Sequence, residues 1–148
     1  MSQVSRQREI AADPDAVWKA LAAFDRIAEW APNADHSCLL SEQNSGIGMT
    51  RRIQTGRTTL VETVIAWEPG VRLSYTIAGL PQVIRSVTNT WRLEPVARGT
   101  KVTLTSEIDA GPRPPQRLIA KAVGRKLGAA SDQMLEAIAA HLEPKANR

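Results

Sequence analysis

The chain has 148 residues, 43% hydrophobic and 23% charged, with a net charge of +4. That length fits one domain, residues 1–148, with a single sizeable core, and the composition is ordinary for a soluble globular protein. No apolar run approaches the ~20 residues needed to cross a bilayer. The first residues lack the apolar segment of a secretion signal. Cys38 is the lone cysteine and cannot form an internal disulfide, so a reducing cytoplasm is the expected compartment. The 19 basic residues are mostly scattered, and no nucleic-acid partner is expected.

In chain order, Val4 to Ile10 reads as a first strand with Arg6 and Arg8 facing one way. Asp13-Pro14-Asp15 is a helix start: a capping carboxylate, proline in the first turn and an acid beside it. Val17, Trp18, Leu21, Ala22 and Phe24 follow at helical spacing. Asp25 to Trp30 reads as a second short helix, stopped by Pro32. Trp30 stands beside that break, where it either packs or borders an opening. Leu39 and Leu40 suggest an edge strand. Then come Met49–Gln54, Thr59–Trp67, Val71–Ile77, Val83–Leu93 and Thr100–Ile108, joined by short turns containing glycine or proline. Consecutive strands with short turns predict an antiparallel meander.

The turns also set the register. A hairpin tip at Pro69-Gly70 places Ala66 opposite Leu73, Val64 opposite Tyr75 and Glu62 opposite Ile77. The preceding turn places Arg51 opposite Glu62 and Met49 opposite Val64. The last turn places Leu93 opposite Val102, Trp91 opposite Leu104 and Asn89 opposite Ser106. One face then carries Met49, Ile53, Leu60, Val64, Ala66, Leu73, Tyr75, Ile77, Val87, Trp91, Leu93, Val102, Leu104 and Ile108. The other is mainly Thr, Arg and Ser, the division a sheet with one wet face requires. Ile65 and Trp67 break the alternation and point to a bulge.

Pro114 to Leu142 reads as one long helix, roughly 40 Å at ~1.5 Å per residue. Ile119, Val123, Leu127, Ala130, Met134 and Ile138 share one face; Arg117, Lys121, Arg125, Asp132 and Glu136 share the other. Gly124 and Gly128 lie near the edge of the apolar face. Its slim side chains allow either ordinary packing or a space beneath the helix.

The same register places Arg51, Glu62, Arg85, Asn89, Ser106 and the Tyr75 hydroxyl among apolar neighbours. Buried polar groups need partners or a space that admits water or a ligand. Arg51 and Glu62 are cross-strand neighbours, so a structural ion pair or a site pair is expected. Asn89 and Tyr75 are either satisfied core groups or ligand contacts. An apolar hollow with a few converging polar groups is the usual make-up of a small-molecule site.

Several motifs now form an ordered set: Asp13-Pro14-Asp15-Ala16-Val17-Trp18, Phe24…Trp30-Ala31-Pro32, Gly46-Ile47-Gly48, Trp67-Glu68-Pro69, Arg72-Leu73-Ser74-Tyr75, Thr90-Trp91-Arg92-Leu93-Glu94-Pro95, Gly99-Thr100-Lys101-Val102-Thr103, and the long final helix. In order and spacing the chain resembles the START-like, helix-grip (SRPBCC) superfamily, in particular bacterial polyketide cyclase/dehydrase-like proteins. The resemblance implies an α+β fold, a seven-stranded antiparallel sheet curled around the final helix with two short helices between strands 1 and 2. It also implies a cavity between sheet and helix. Members bind lipids, sterols, polyketides, plant hormones or quinones, and some cyclise or dehydrate the ligand. Fold alone does not transfer function.

Three readings follow. The first is a carrier or sensor for a hydrophobic small molecule. Its expected contacts are Trp30, Met49, Arg51, Glu62, Val64, Tyr75, Ile77, Val87, Asn89, Trp91, Leu104, Ser106, Val123, Leu127 and Met134. The second is a cyclase or dehydratase without metal, in which Arg51, Arg85 and Tyr75 polarise a carbonyl or donate a proton and Glu62 is the base. The third is a docking module for an anionic membrane or acidic partner through Arg117, Lys121 and Arg125. No Cys/His cluster has metal-ligand spacing and no glycine loop cradles a phosphate, so neither metal nor cofactor is expected. His36 is placed near an edge strand and His141 near the end of the final helix. Monomer and homodimer both stay open.

Overall fold

A computed structural model describes residues 2–143. The chain runs β1 (Ser2–Ile10), α1 (Pro14–Ala22), a 3-10 helix (Phe24–Glu29), β2 (His36–Leu39), β3 (Thr50–Thr55), β4 (Thr58–Glu68), β5 (Arg72–Ala78), β6 (Ser86–Val96), β7 (Gly99–Asp109) and α2 (Pro114–Leu142). The strands form one antiparallel sheet in the order β1-β7-β6-β5-β4-β3-β2. This is the helix-grip fold. β2 is an edge, as Leu39 suggests; β1 closes onto β7 and forms the other edge.

The capping signal at Asp13 works as its chemistry requires: its Oδ1 accepts from the Ala16 backbone N–H at 2.8 Å. The segment after α1 is the expected second short helix, spanning Phe24–Glu29. It is a 3-10 helix interrupted at Arg26, whose φ of −101° and ψ of 17° break the helical run. The tighter winding turns Phe24 and Ile27 inward, and both are buried.

The register holds where the turns fix it. Arg51 pairs with Glu62, Val64 with Tyr75, Asn89 with Ser106, and Trp91 with Leu104. It slips between Val64 and Ala66, where a bulge takes up Ile65. Beyond it Ala66 pairs with Ser74, not Leu73, and Trp67 pairs with Leu73 on the inner face. Trp67 then meets Trp18 edge to face, ring centroids 5.0 Å apart. The outer face is knit by cross-strand hydroxyl pairs, Ser74 with Thr90 at 2.9 Å and Ser5 with Thr105 at 2.7 Å.

A second correction falls at the start of β6, which begins at Ser86 and not Val83. Pro81 heads a turn closed by the Ile84 N–H to the Pro81 carbonyl, and Val83 and Arg85 are exposed; the Arg85 backbone N–H still donates to the Asp109 carbonyl of β7 at 2.7 Å, with its side chain turned to the surface. Arg85 therefore does not reach the inner face.

The buried stripe of α2 is rotated from the expected one. Ala120, Gly124, Gly128, Ser131, Leu135 and Ala139 are buried together with Met134 and Ile138, while Ile119, Val123, Leu127 and Ala130 are only half-buried. The cause is close approach to β1. A Cβ built on Gly128 would come 3.0 Å from Val4 Cγ2 and 2.8 Å from Arg6 Nη2. The glycines bring helix and sheet together; they do not hold them apart. Arg6 reaches across to Asp132 at 3.2 Å. Both groups are well exposed, so the pair contributes little.

Candidate functional site

A cavity of about 80 Å³ lies between the inner face of the sheet and the flank of α2. The 3-10 helix and the loop after it supply Ile27, Asn33 and Ala34; β3 and β4 supply Ile53, Thr55, Leu60 and Glu62. Tyr75, Ile77, Asn89 and Ser106 come from β5, β6 and β7, and Leu127, Ala130, Ser131 and Met134 from α2. Asn33 is exposed and Thr55, Leu60, Ile77, Leu127 and Ala130 are half-buried, so these mark the rim. Glu62, Tyr75, Asn89, Ser106 and Ser131 are buried and mark the floor and inner walls.

The polar side chains of the floor are tied to one another. Arg51 and Glu62 are 3% and 4% exposed, so neither charge is tolerable alone. Arg51 donates to Glu62 Oε1 from Nε at 2.8 Å, its Nη2 lies 2.6 Å from the same oxygen, and its Nη1 donates to the Phe24 carbonyl at 2.7 Å. The guanidinium lies over the rings of Phe24, at 3.6 Å, and Tyr75, at 4.8 Å. Burial pushes the Glu62 carboxyl above its usual range, and Arg51 pulls it part of the way back.

Tyr75, Asn89 and Ser106 form a second chain across β5, β6 and β7. Ser106 Oγ donates to Asn89 Oδ1 at 2.6 Å, and the Tyr75 hydroxyl accepts from Trp91 Nε1 at 3.2 Å and, at the long distance of 3.5 Å, from Asn89 Nδ2. Burial and then the nearby Glu62 charge raise the Tyr75 pKa. The phenol therefore keeps its proton at neutral pH and is available as a donor.

Of the residues expected to contact a ligand, Glu62, Tyr75, Ile77, Asn89, Ser106, Leu127 and Met134 meet on the cavity wall. Met49, Val64, Trp91 and Leu104 are fully buried in the larger core cluster, away from the wall. Val87 and Val123 pack in a smaller cluster under the first half of α2. Arg51 sits behind Glu62 and also off the wall. Trp30 is partly buried against the core, its ring 6.0 Å from that of Trp91, and its Nε1 is buried without a hydrogen-bond partner among the described residues. Arg85, the remaining catalytic candidate, is exposed.

Five apolar or small wall residues escaped the sequence reading: Ile27, Ala34, Ile53, Leu60 and Ala130, along with Asn33, Thr55 and Ser131. Ile53, Leu60 and Ala130 were legible as inner-face positions. Ile27 and Ala34 reach the site only because the 3-10 helix and its loop fold over the sheet. Arg117, Lys121 and Arg125 lie exposed on the outer face of α2, and His36, Cys38 and His141 are exposed as well. No helix among the described residues is long and apolar enough to cross a membrane.

Residues 1–143 match the family described as polyketide cyclase / dehydrase and lipid transport. The chain belongs to this family. Several solved structures have the same fold. One is a protein from Thermobifida fusca, 24% identical over 100% of this chain and 99% of that one, with a TM-score of 0.75. Another is the Zhui aromatase/cyclase from a Streptomyces species, 19% identical over 95% and 92% of the two chains, with a TM-score of 0.75. A third is the di-domain aromatase/cyclase StfQ of the steffimycin pathway, 17% identical over 93% of this chain and 49% of that one, with a TM-score of 0.77. Among curated proteins there is no match. At these identities the structural likeness establishes the fold alone.

Proposed function

We propose that the protein binds a hydrophobic small molecule of lipid, polyketide or quinone type in the cavity between the sheet and α2, as a carrier or sensor. The observation that carries this reading is the cavity wall: mostly apolar, with a few buried polar side chains converging on one side. The family description, which includes lipid transport, supports it. Binding would draw on apolar area removed from water, ~25 cal/mol per Å², with the polar floor fixing orientation.

The space of about 80 Å³ is small beside the ~300–1,000 Å³ of sites that hold drug-sized ligands. A large ligand enters only if the wall yields. Met134 is unbranched and suited to this, and Leu127 and Ile77 stand half-exposed at the rim. Native mass spectrometry of the protein against lipids, quinones and aromatic polyketides tests the reading. A bound species displaced by Met134→Trp, which fills the space, is the expected result; no bound species from any class would overturn it.

A cyclase-like activity is the second reading. It is favoured by one observation, the Tyr75 hydroxyl and the Glu62 carboxyl group on the same wall. In that reading Glu62 takes a proton from the carbon beside a carbonyl and Tyr75 donates to the carbonyl oxygen, with Arg51 holding Glu62 in place. Once a turnover is found, Glu62→Gln and Tyr75→Phe should each reduce it by ~10²-fold or more; retention of full rate in both variants would remove this reading.

A further inference from the structure

Three of the buried side chains on the cavity wall hold hydrogen-bonding capacity that the protein itself does not use. Both contacts to Glu62 from Arg51 fall on Oε1, and Oε2 takes no hydrogen bond among the described residues. The two groups bonded to the Tyr75 hydroxyl, Trp91 Nε1 and Asn89 Nδ2, can only donate. The hydroxyl proton therefore has no acceptor among the described residues. Ser131 is 3% exposed and faces the cavity from α2, and its side chain makes no hydrogen bond among the described residues. The buried part of the wall thus offers one strong acceptor and two hydroxyl donors; Asn33 and Thr55 stand at the rim, and the other members are chiefly apolar.

A single hydroxyl has one proton to give and two lone pairs to receive, the complement of that set. Glu62 and Tyr75 stand on the same face of adjacent strands, two residue pairs apart: Glu62 opposes Ile77 and Tyr75 opposes Val64. Diagonal neighbours of this kind lie ~7–8 Å apart, a gap that one small group can span. Charge restricts the occupant further. Arg51 already neutralises Glu62, so a charged ligand would bury a net charge among apolar walls. Size restricts it as well. The cavity of about 80 Å³ is roughly half of the 150 Å³ hollow that holds benzene in an engineered core. One ring is then the occupant reached by small side-chain shifts at Leu127 and Met134.

Resting on the ligand-binding reading above, we infer that the cavity selects an uncharged molecule of about one ring that carries a hydroxyl. The hydroxyl donates to Glu62 Oε2 and accepts from Tyr75 and Ser131, while the ring lies against Ile77, Leu127 and Met134.

The test is calorimetric titration of the full chain with phenol, cyclohexanol, toluene and benzoate. Phenol or cyclohexanol should bind at least ~10-fold more tightly than toluene, the scale of a hydrogen bond to a charged group, and benzoate more weakly than either. Phenol against cyclohexanol separates an aromatic from an alicyclic preference. Tyr75→Phe should weaken the better alcohol by ~3–10-fold and leave toluene unchanged; Ser131→Ala, which is compatible with the helix, should do the same to a smaller degree. Equal binding of toluene and the alcohols, or tightest binding of benzoate, overturns the inference. So does failure of all four to bind. If a long-chain lipid is then found by native mass spectrometry, the ligand-binding reading survives while this narrower one falls.

Discussion

The two ends of the inner sheet face are covered differently. Under α1 and the 3-10 helix, large side chains close on one another: Trp91, Phe24, Met49, Val64, Leu73 and Leu104 are at most 1% exposed. Under the middle of α2 the covering residues are Leu127, Ala130, Ser131 and Met134, and the strands opposite carry Glu62, Asn89 and Ser106. The same sheet, with the same alternation, is solid where big apolar residues face each other and hollow where smaller and polar side chains meet the flank of α2. The hollow is a matter of which face of α2 turns inward. Gly128 presses that helix onto β1, and the bulkier Leu127 and Met134 are left bridging the gap on its flank.

The boundary between the two ends is the Arg51–Glu62 pair, and breaking it should have the largest effect. Arg51→Met leaves a buried carboxylate without its partner and should cost about 3–5 kcal/mol in urea unfolding. Adding Glu62→Leu should restore most of the loss. If the single variant loses under ~1 kcal/mol, the pair behaves as a surface ion pair and the boundary is misplaced. Next in size is a matched truncation. Leu104→Ala, at the solid end, should cost about 2–5 kcal/mol, with Leu127→Ala, at the half-exposed rim, near or below the bottom of that range. Equal losses would erase the distinction between the ends.

A smaller effect separates the ends by pH. The folded pKa of Tyr75 is raised by burial, so its contribution to stability is complete below the unfolded value of about 10 and is lost as pH climbs through the higher folded value. Tyr75 is the single tyrosine, so tyrosinate absorbance reports it alone. Native protein should titrate above the free amino acid, and Tyr75→Phe should flatten the alkaline fall in stability; a normal midpoint would mean that the phenol is wet. Smallest of all, Gly124→Ala should stabilise by about 0.5–1 kcal/mol from helix propensity. Its new Cβ would meet Ser2 Oγ and Ile108 Cδ1 at the ordinary distances of 3.6 and 3.7 Å. Gly128→Ala should gain less or lose, because Val4 must give way.

Much of the sheet was legible because its turns are short and marked by glycine or proline. Counting outward from Pro69-Gly70 and Arg98-Gly99 fixes which side chains oppose one another, and that puts Glu62, Tyr75, Asn89 and Ser106 on one face. What the pattern hides is anything decided by tertiary fit. One extra residue at Ile65 reverses Ala66 and Trp67, and the alternation gives only a hint of it. Arg85 follows a proline turn whose closure the strand-like run from Val83 disguises. A helical wheel weighs hydrophobicity, so it selects Ile119, Val123 and Leu127 over Ala120, Gly124 and Gly128. The real stripe is chosen by how near β1 can come. Ile27 and Ala34 join the wall through a 3-10 turn whose winding composition does not announce.

Methionine methyl NMR compares the two ends in one spectrum. Met49 lies in the solid end and Met134 on the cavity wall. Titrating a hydrophobic ligand that native mass spectrometry has identified should move the Met134 methyl signal and leave that of Met49 in place. A ligand that binds while Met134 stays still, or that shifts Met49 as far as Met134, would contradict a site between the sheet and α2.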